Sequence, residues 1–337
     1  MKKTKTIGMF IITLIALCLT VSSYAGSGKI LEPVSIEKRK IDPDDRRVVL
    51  NGFHSAPSQR NILNLKREHP WSLPKMNASA AAVDTIRLLG LRFDFLYETT
   101  DDPLTTGRGQ FDLRDTLAFR EEFGHMIDPS PHNKAYFEKH FQALRNYYFF
   151  VSDGRIELLW DVYPPEENEV YHLDKSMGHY GSQNPYIGLT EYFIDCFQLV
   201  DTVETGLNFA DYDSYFLFHA GADRQNDIGF PETPSDFFTG YLFLIDSAIY
   251  VDNDGSDSTE ITDALIMPET ASQDNRATAL NAVMAHEFGH QLGLVDLYRT
   301  DNFFTQVGDF ALMDNNGFGT GVDFGFEVGR AFGTSPL

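Results

Sequence analysis

The chain has 337 residues, a formal charge of −22 and an apolar share of 42%. A negative surplus of that size argues against nucleic acid and anionic membranes as partners, because both are polyanions and would repel it. Cys18 and Cys196 are the only cysteines, so the fold has to be held by a core and not by a disulfide framework.

Lys2, Lys3 and Lys5 precede an apolar run from Ile7 to Val21 and the triplet Ser23-Tyr24-Ala25. A charged start, an apolar stretch too short to cross a membrane comfortably and a small-x-small cleavage site predict a signal peptide over 1–25. The expected product is a soluble, secreted protein that begins near Gly26, extracellular or, where the organism has an outer membrane, periplasmic. Cys18 follows Leu17, where a lipoprotein signal would need a small residue, so no stable membrane anchor is expected. The remaining chain of about 310 residues suffices for one large domain plus a smaller segment, and a monomer is expected.

Residues 26–82 are polar and interrupted by Pro33, Pro43, Pro57, Pro70 and Pro74. No helical or strand period holds there, and composition leaves a pro-segment and a flexible linker equally open. Residues 83–337 are the predicted catalytic domain. It opens with a core strand over 83–97, marked by Ile86, Leu88, Leu89, Leu91, Phe93, Phe95 and Tyr97. Tyr136, Phe137, His140, Phe141 and Leu144 stand at helical spacing and predict a helix over 132–148. Ser152-Asp153-Gly154 then turns the chain into a strand over 155–163. A helix over 188–201 and strands over 214–219 and 241–251 follow; the alternation leaves α/β and α+β open, and α+β with a twisted mixed sheet is the expected class.

After the last of these strands comes Asp252-Asn253-Asp254-Gly255-Ser256-Asp257. Asp252, Asp254 and Asp257 could hold calcium, or the stretch could be the polar tip of a hairpin, for which Asp-Gly is a strong signal. Position 263 carries Asp where a twelve-residue calcium loop would end in Glu.

The strongest signal is His286-Glu287-Phe288-Gly289-His290. Leu280, Val283, Met284 and Phe288 make 278–291 an amphipathic helix, on which His286 and His290 project from one side, about 5.4 Å apart along the axis. That spacing suits two neutral imidazoles on one zinc ion. Glu287, rotated by about 100°, falls beside the metal, where it can take a proton from the attacking water. Gly293 can end the helix in a left-handed turn, so that Asp296 returns as third ligand, with Asp301 and Asp309 as substitutes. His-Glu-x-x-His alone arises by accident in such a chain at roughly the one per cent level, and the spaced Gly and Asp make accident rarer. Glu122-Phe123-Gly124-His125 copies part of the motif, but Glu121 stands where the first His would be. Met313, seventeen residues after Asp296, stands in Ala311-Leu312-Met313-Asp314. A methionine turn in that place forms the floor below the zinc in metzincins.

With these motifs in place the sequence resembles the immune inhibitor A family of secreted bacterial metallopeptidases. The likeness extends through Thr105-Thr106-Gly107-Arg108-Gly109-Gln110-Phe111, Pro131-His132, Phe218-His219-Ala220-Gly221 and Met267-Pro268-Glu269. It departs at Val295, where the family usually has Pro, in the reduced acidic stretch Asp211-Tyr212-Asp213, and in stopping at Leu337, which suggests a truncated reading frame. The resemblance implies a metzincin-like domain, a removable pro-segment, one catalytic zinc, frequently calcium, and protein or peptide substrates.

The expected chemistry is metal-assisted hydrolysis with Glu287 as general base and Tyr298 as a candidate oxyanion stabiliser. Two other functions are carried forward: an inactive secreted adhesin or matrix protein on the same fold, and a zinc hydrolase of non-protein amides. His219, which ends an apolar strand, is expected to pack or to stabilise a turn, and His132, His172 and His179 are assigned no chemistry.

Overall fold

The computed structural model describes residues 34–35, 48–50, 83–124, 128–227, 231–244, 247–252, 258–273, 279–299, 304–307, 311–314, 321–322 and 331–332. The predicted signal peptide lies outside them.

The main sheet is built from β2 (Val48–Leu50), β3 (Asp84–Asp94), β4 (Ile156–Tyr163), β5 (Tyr171–His172), β6 (Ser214–His219), β7 (Gly240–Leu244) and β10 (Asp263–Pro268). Its order is β2-β7-β10-β6-β3-β4, with β5 also paired to β3. The links β10-β6, β6-β3 and β3-β4 are parallel, whereas β7 runs antiparallel to β10 and β2 antiparallel to β7. The fold is thus α+β with a mixed sheet, as expected. β1 (Val34–Ser35), β8 (Ser247–Val251) and β9 (Thr259–Ile261) form a second sheet, and β11 (Gly321–Val322) pairs with β12 (Ala331–Phe332).

The central strands are buried on both faces, as parallel strands are when helices cover them on two sides. Every residue of β6 and β10 is enclosed. The ring contacts of β6 show how its two faces are used. Phe216 and Phe218 meet Phe141 and Phe137 of α2 (Lys134–Val151), at centroid distances of 5.0 and 4.3 Å. Phe216 also meets Phe288 of α5 (Leu280–Gln291) at 6.2 Å. Tyr215, one residue earlier, contacts Phe197 of α4 (Pro185–Val203) at 5.5 Å from the other face. Helices α2 and α5 therefore share one side of the sheet and α4 takes the other. Shorter helices, α1 (Thr116–Phe123) and α3 (Met177–Gly181), complete the described set.

Helix starts follow local chemistry. Asn133 and Asn184 accept backbone N–H groups at the first turns of α2 and α4, and Pro185 fits a first turn that has no use for its missing N–H. Helix α5 begins after Ala279, which offers no side-chain cap. Asp128 supplies it from far away in sequence, its Oδ2 accepting the N–H of Leu280 at 2.8 Å.

Two expectations are revised. The run 241–251 is not one strand: β7 belongs to the main sheet and β8 to the second. An unbroken apolar stretch carries no period to mark where a chain changes sheets. Helix α5 is also buried almost all round from Met284 to Gln291, not along one stripe, because α2, the sheet and the loop after it enclose it together. Within the predicted pro-segment or linker, residues 34–35 and 48–50 are paired strands. Asp153 and Gly154 have positive φ, as the predicted turn requires.

Candidate metal centre

Helix α5 carries His286 and His290, and Gly293 follows with φ 93°. That left-handed residue ends the helix, with the N–H groups of Gly293 and Leu294 donating to the carbonyls of His290 and Gly289 at 2.8 and 2.9 Å. The chain then folds back over the helix end and brings in Asp296.

The three predicted ligands converge. His286 Nε2 and His290 Nε2 are 3.1 Å apart, and Asp296 Oδ1 lies 3.2 Å from each. All three side chains are enclosed. Donors on a tetrahedral zinc with bonds of about 2.0–2.1 Å stand about 3.3–3.4 Å apart, so this triangle is close to the face a zinc ion would occupy. The carboxylate of Glu287 is outside this group of mutually close donors.

The rings are oriented by carbonyls. His286 Nδ1 lies 3.0 Å from Leu312 O, and His290 Nδ1 lies 3.1 Å from Leu294 O. Each Nδ1–H can donate to its carbonyl, which fixes the tautomer and leaves the Nε2 lone pair aimed at the shared centre. The N–H of Leu297 donates to Met313 O at 2.7 Å, so the segment that orients His286 also holds the loop bearing Asp296. Burial alone would raise the pKa of Asp296, but His286 and His290 beside it bring it down to about 2. Burial pulls His290 down, yet Asp296 and the nearby charge of Glu287 carry it above the ordinary histidine value.

Met313 is buried, and a Cβ built on Gly289 would come within 2.8 Å of its Sδ and 3.1 Å of the hydroxyl of Tyr148. Glycine between the two histidines thus lets the thioether approach the helix. Tyr148, from α2, donates to Ala285 O at 2.6 Å. Glu287 Oε2 accepts the backbone N–H of Tyr241, in β7, at 2.8 Å. The ring of Tyr298 lies over His286 at 6.4 Å with an interplanar angle of 23°. Its phenol is pushed well above the ordinary tyrosine value, by burial first and then by the charges of Asp296 and Glu287.

Other candidates stand apart. Asp252 has φ 61°, and its Oδ2 accepts the N–H of Phe209 and the hydroxyl of Thr259. Asp254, Asp257, His125, Asp301 and Asp309 lie outside the described residues. His219 is fully enclosed by Phe95, Tyr192 and Phe237, and burial lowers its pKa to about 4, in keeping with a packed histidine. Sequence reasoning passed over a second histidine–carboxylate pair. His132 Nδ1 and Glu269 Oε1 are 2.5 Å apart and buried, and 137 residues of separation leave no spacing signal that could have joined them.

No family model matches this chain, and no curated protein matches it.

Proposed function

We propose that the protein is a secreted zinc-dependent peptidase acting on proteins or peptides. What carries the reading is the convergence of His286, His290 and Asp296 at 3.1–3.2 Å, with both Nδ1 atoms already engaged by carbonyls. The donor set suits zinc: two imidazoles and one carboxylate, leaving a fourth position for water. A zinc ion held there would polarise a scissile carbonyl and make the attacking water more acidic.

The protein's own groups then divide the work. Glu287, fixed through Oε2, accepts the proton of the attacking water on Oε1 and passes it to the leaving amine. Tyr298 stays protonated across the neutral range, and its hydroxyl, bonded to Asp296 in the metal-free site, would have to turn to donate to the developing oxyanion. Met313 below Gly289, the left-handed Gly293 and the mixed sheet with one internal antiparallel strand support a metzincin-like reading of residues 83–337. They also fit the resemblance to the immune inhibitor A family. Calcium at Asp252, Asp254 and Asp257 and removal of residues 26–82 remain part of that proposal.

Two measurements on the purified chain test it: metal content, and hydrolysis of casein or a peptide library with and without a chelator. One zinc per chain with chelator-sensitive cleavage is expected. Zinc without cleavage of any peptide favours the inactive adhesin or the hydrolase of other amides. Cleavage that survives Glu287→Gln overturns the mechanism.

A further inference from the structure

Behind Glu287 lies a buried polar circuit that the proposed chemistry does not use. The Tyr241 hydroxyl donates to Asp263 Oδ2 at 2.9 Å, and Gln291 Nε2 donates to the same oxygen at 2.9 Å. Ser214 Oγ donates in turn to Gln291 Oε1 at 2.6 Å, and the hydroxyl of Thr262 donates to Asp263 Oδ1 at 3.0 Å. Tyr241, Gln291 and Ser214 are wholly enclosed, and Asp263 is 1% exposed. The path closes on itself. Tyr241 holds Glu287 by its backbone N–H and Asp263 by its hydroxyl, Asp263 holds Gln291, and Gln291 lies one helical turn after Glu287 on α5.

We infer that Asp263 is the positioning residue for Glu287, acting through Tyr241 and Gln291. The inference deepens the peptidase reading and rests on it. A glutamate side chain has three rotatable torsions, and a base that wanders loses the near-attack geometry that gives proton transfer its speed. The bond to Tyr241 N–H restrains Glu287 only while β7 and α5 keep their register. One oxygen of Asp263, in β10 beside β7, ties both: β7 through the phenol and α5 through the amide. Phe at 241 and Met at 291 would fill similar space without the cost of burying polar groups, so packing alone does not account for this set.

Tyr241→Phe removes one hydroxyl and keeps the ring. In the purified full chain, kcat on a peptide substrate is expected to fall by about tenfold or more, with KM and zinc content unchanged. Deuterium uptake at the amide of residue 241 should rise in parallel. Asp263→Asn should act through the same path, so the double variant loses no more than the worse single. Unchanged kcat and unchanged exchange at residue 241 overturn the inference, and so does a double variant whose losses multiply. Gln291→Met, which cuts the circuit from the helix side, serves if Tyr241→Phe fails to fold. Should the wild type cleave no peptide, the peptidase reading fails, and exchange at residue 241 still decides whether the circuit holds Glu287.

Discussion

Among the described residues, two buried centres bring a histidine nitrogen within 3.2 Å of a carboxylate, and they differ in how many donor atoms converge. At His132 both ring nitrogens are engaged: Nδ1 faces Glu269 Oε1 at 2.5 Å and Nε2 faces the carbonyl of Asp128 at 3.0 Å. Glu269 is equally occupied, its Oε1 also accepting the N–H of Asp112 and its Oε2 that of Gly221. This pair is a junction between the segments after β3, β6 and β10. At His286 and His290 each Nδ1 faces a carbonyl, and the two Nε2 atoms lie within 3.2 Å of each other and of Asp296 Oδ1. Proximity of histidine and acid is common to both, but only the second brings three potential ligand atoms within reach of one another.

The sharpest way to break this contrast is at the proposed base. Glu287→Gln should lower peptide hydrolysis by about a hundred- to ten-thousandfold and leave one zinc per chain by metal analysis. At the junction the expected loss is of stability. Glu269→Ala leaves His132 buried without its partner and should cost about 3–5 kcal/mol in denaturant unfolding, with zinc still bound by whatever remains folded. Asp296→Ala should act chiefly on the metal, weakening zinc by about a hundredfold or more in competition with a chelator, with a smaller loss of stability in the metal-free chain, where the carboxylate pairs with His286 and His290.

A last, pH-dependent effect concerns Asp94, at the end of β3. Burial first, and then the charge of Glu269, raise its pKa to about 7 against the Phe111 N–H that lowers it. The folded state therefore holds this proton more tightly than the unfolded one, and stability falls as pH rises from about 4 to about 7. Asp94→Asn, which can still accept from Phe111, should be the more stable form near pH 7.5, with the difference vanishing near pH 4. Paired urea titrations at the two pH values check it, and a wild type favoured at the higher pH would contradict it.

How much of this could be read beforehand depends on distance along the chain. His286, Glu287, His290 and Gly293 announce themselves because helix geometry turns spacing into direction. Asp296 followed from the glycine turn, and Met313 from its position after Asp296. The carbonyls of Leu294 and Leu312 were not legible, since a backbone oxygen leaves no mark in a sequence. Nor was the hold of Tyr241 on Glu287, which joins positions 46 residues apart by a main-chain N–H. In the fold, β3, β4, β6, α2 and α4 stand close to where they were expected, whereas the division of 241–251 between two sheets was not foreseen. Short elements such as α1, α3 and β9 are defined by what they touch and left no pattern of their own.

The place of the metal centre in chain order has a consequence for assembly. The last strand of the main sheet ends at Pro268, whereas the three proposed ligands and the carbonyls beside their imidazoles lie between His286 and Leu312. From Leu292 to Asp314, Met313 is the one buried large apolar side chain among the described residues, Leu292 and Leu312 are partly buried against the core, and Leu294, Leu297, Phe304 and Val307 are exposed. This stretch has little core of its own to hold it down. Under the proposed coordination the ion takes that role, so a newly made chain would complete its sheet first and settle this stretch on capturing zinc. A chelator should then open this segment to proteolysis well before the sheet unfolds.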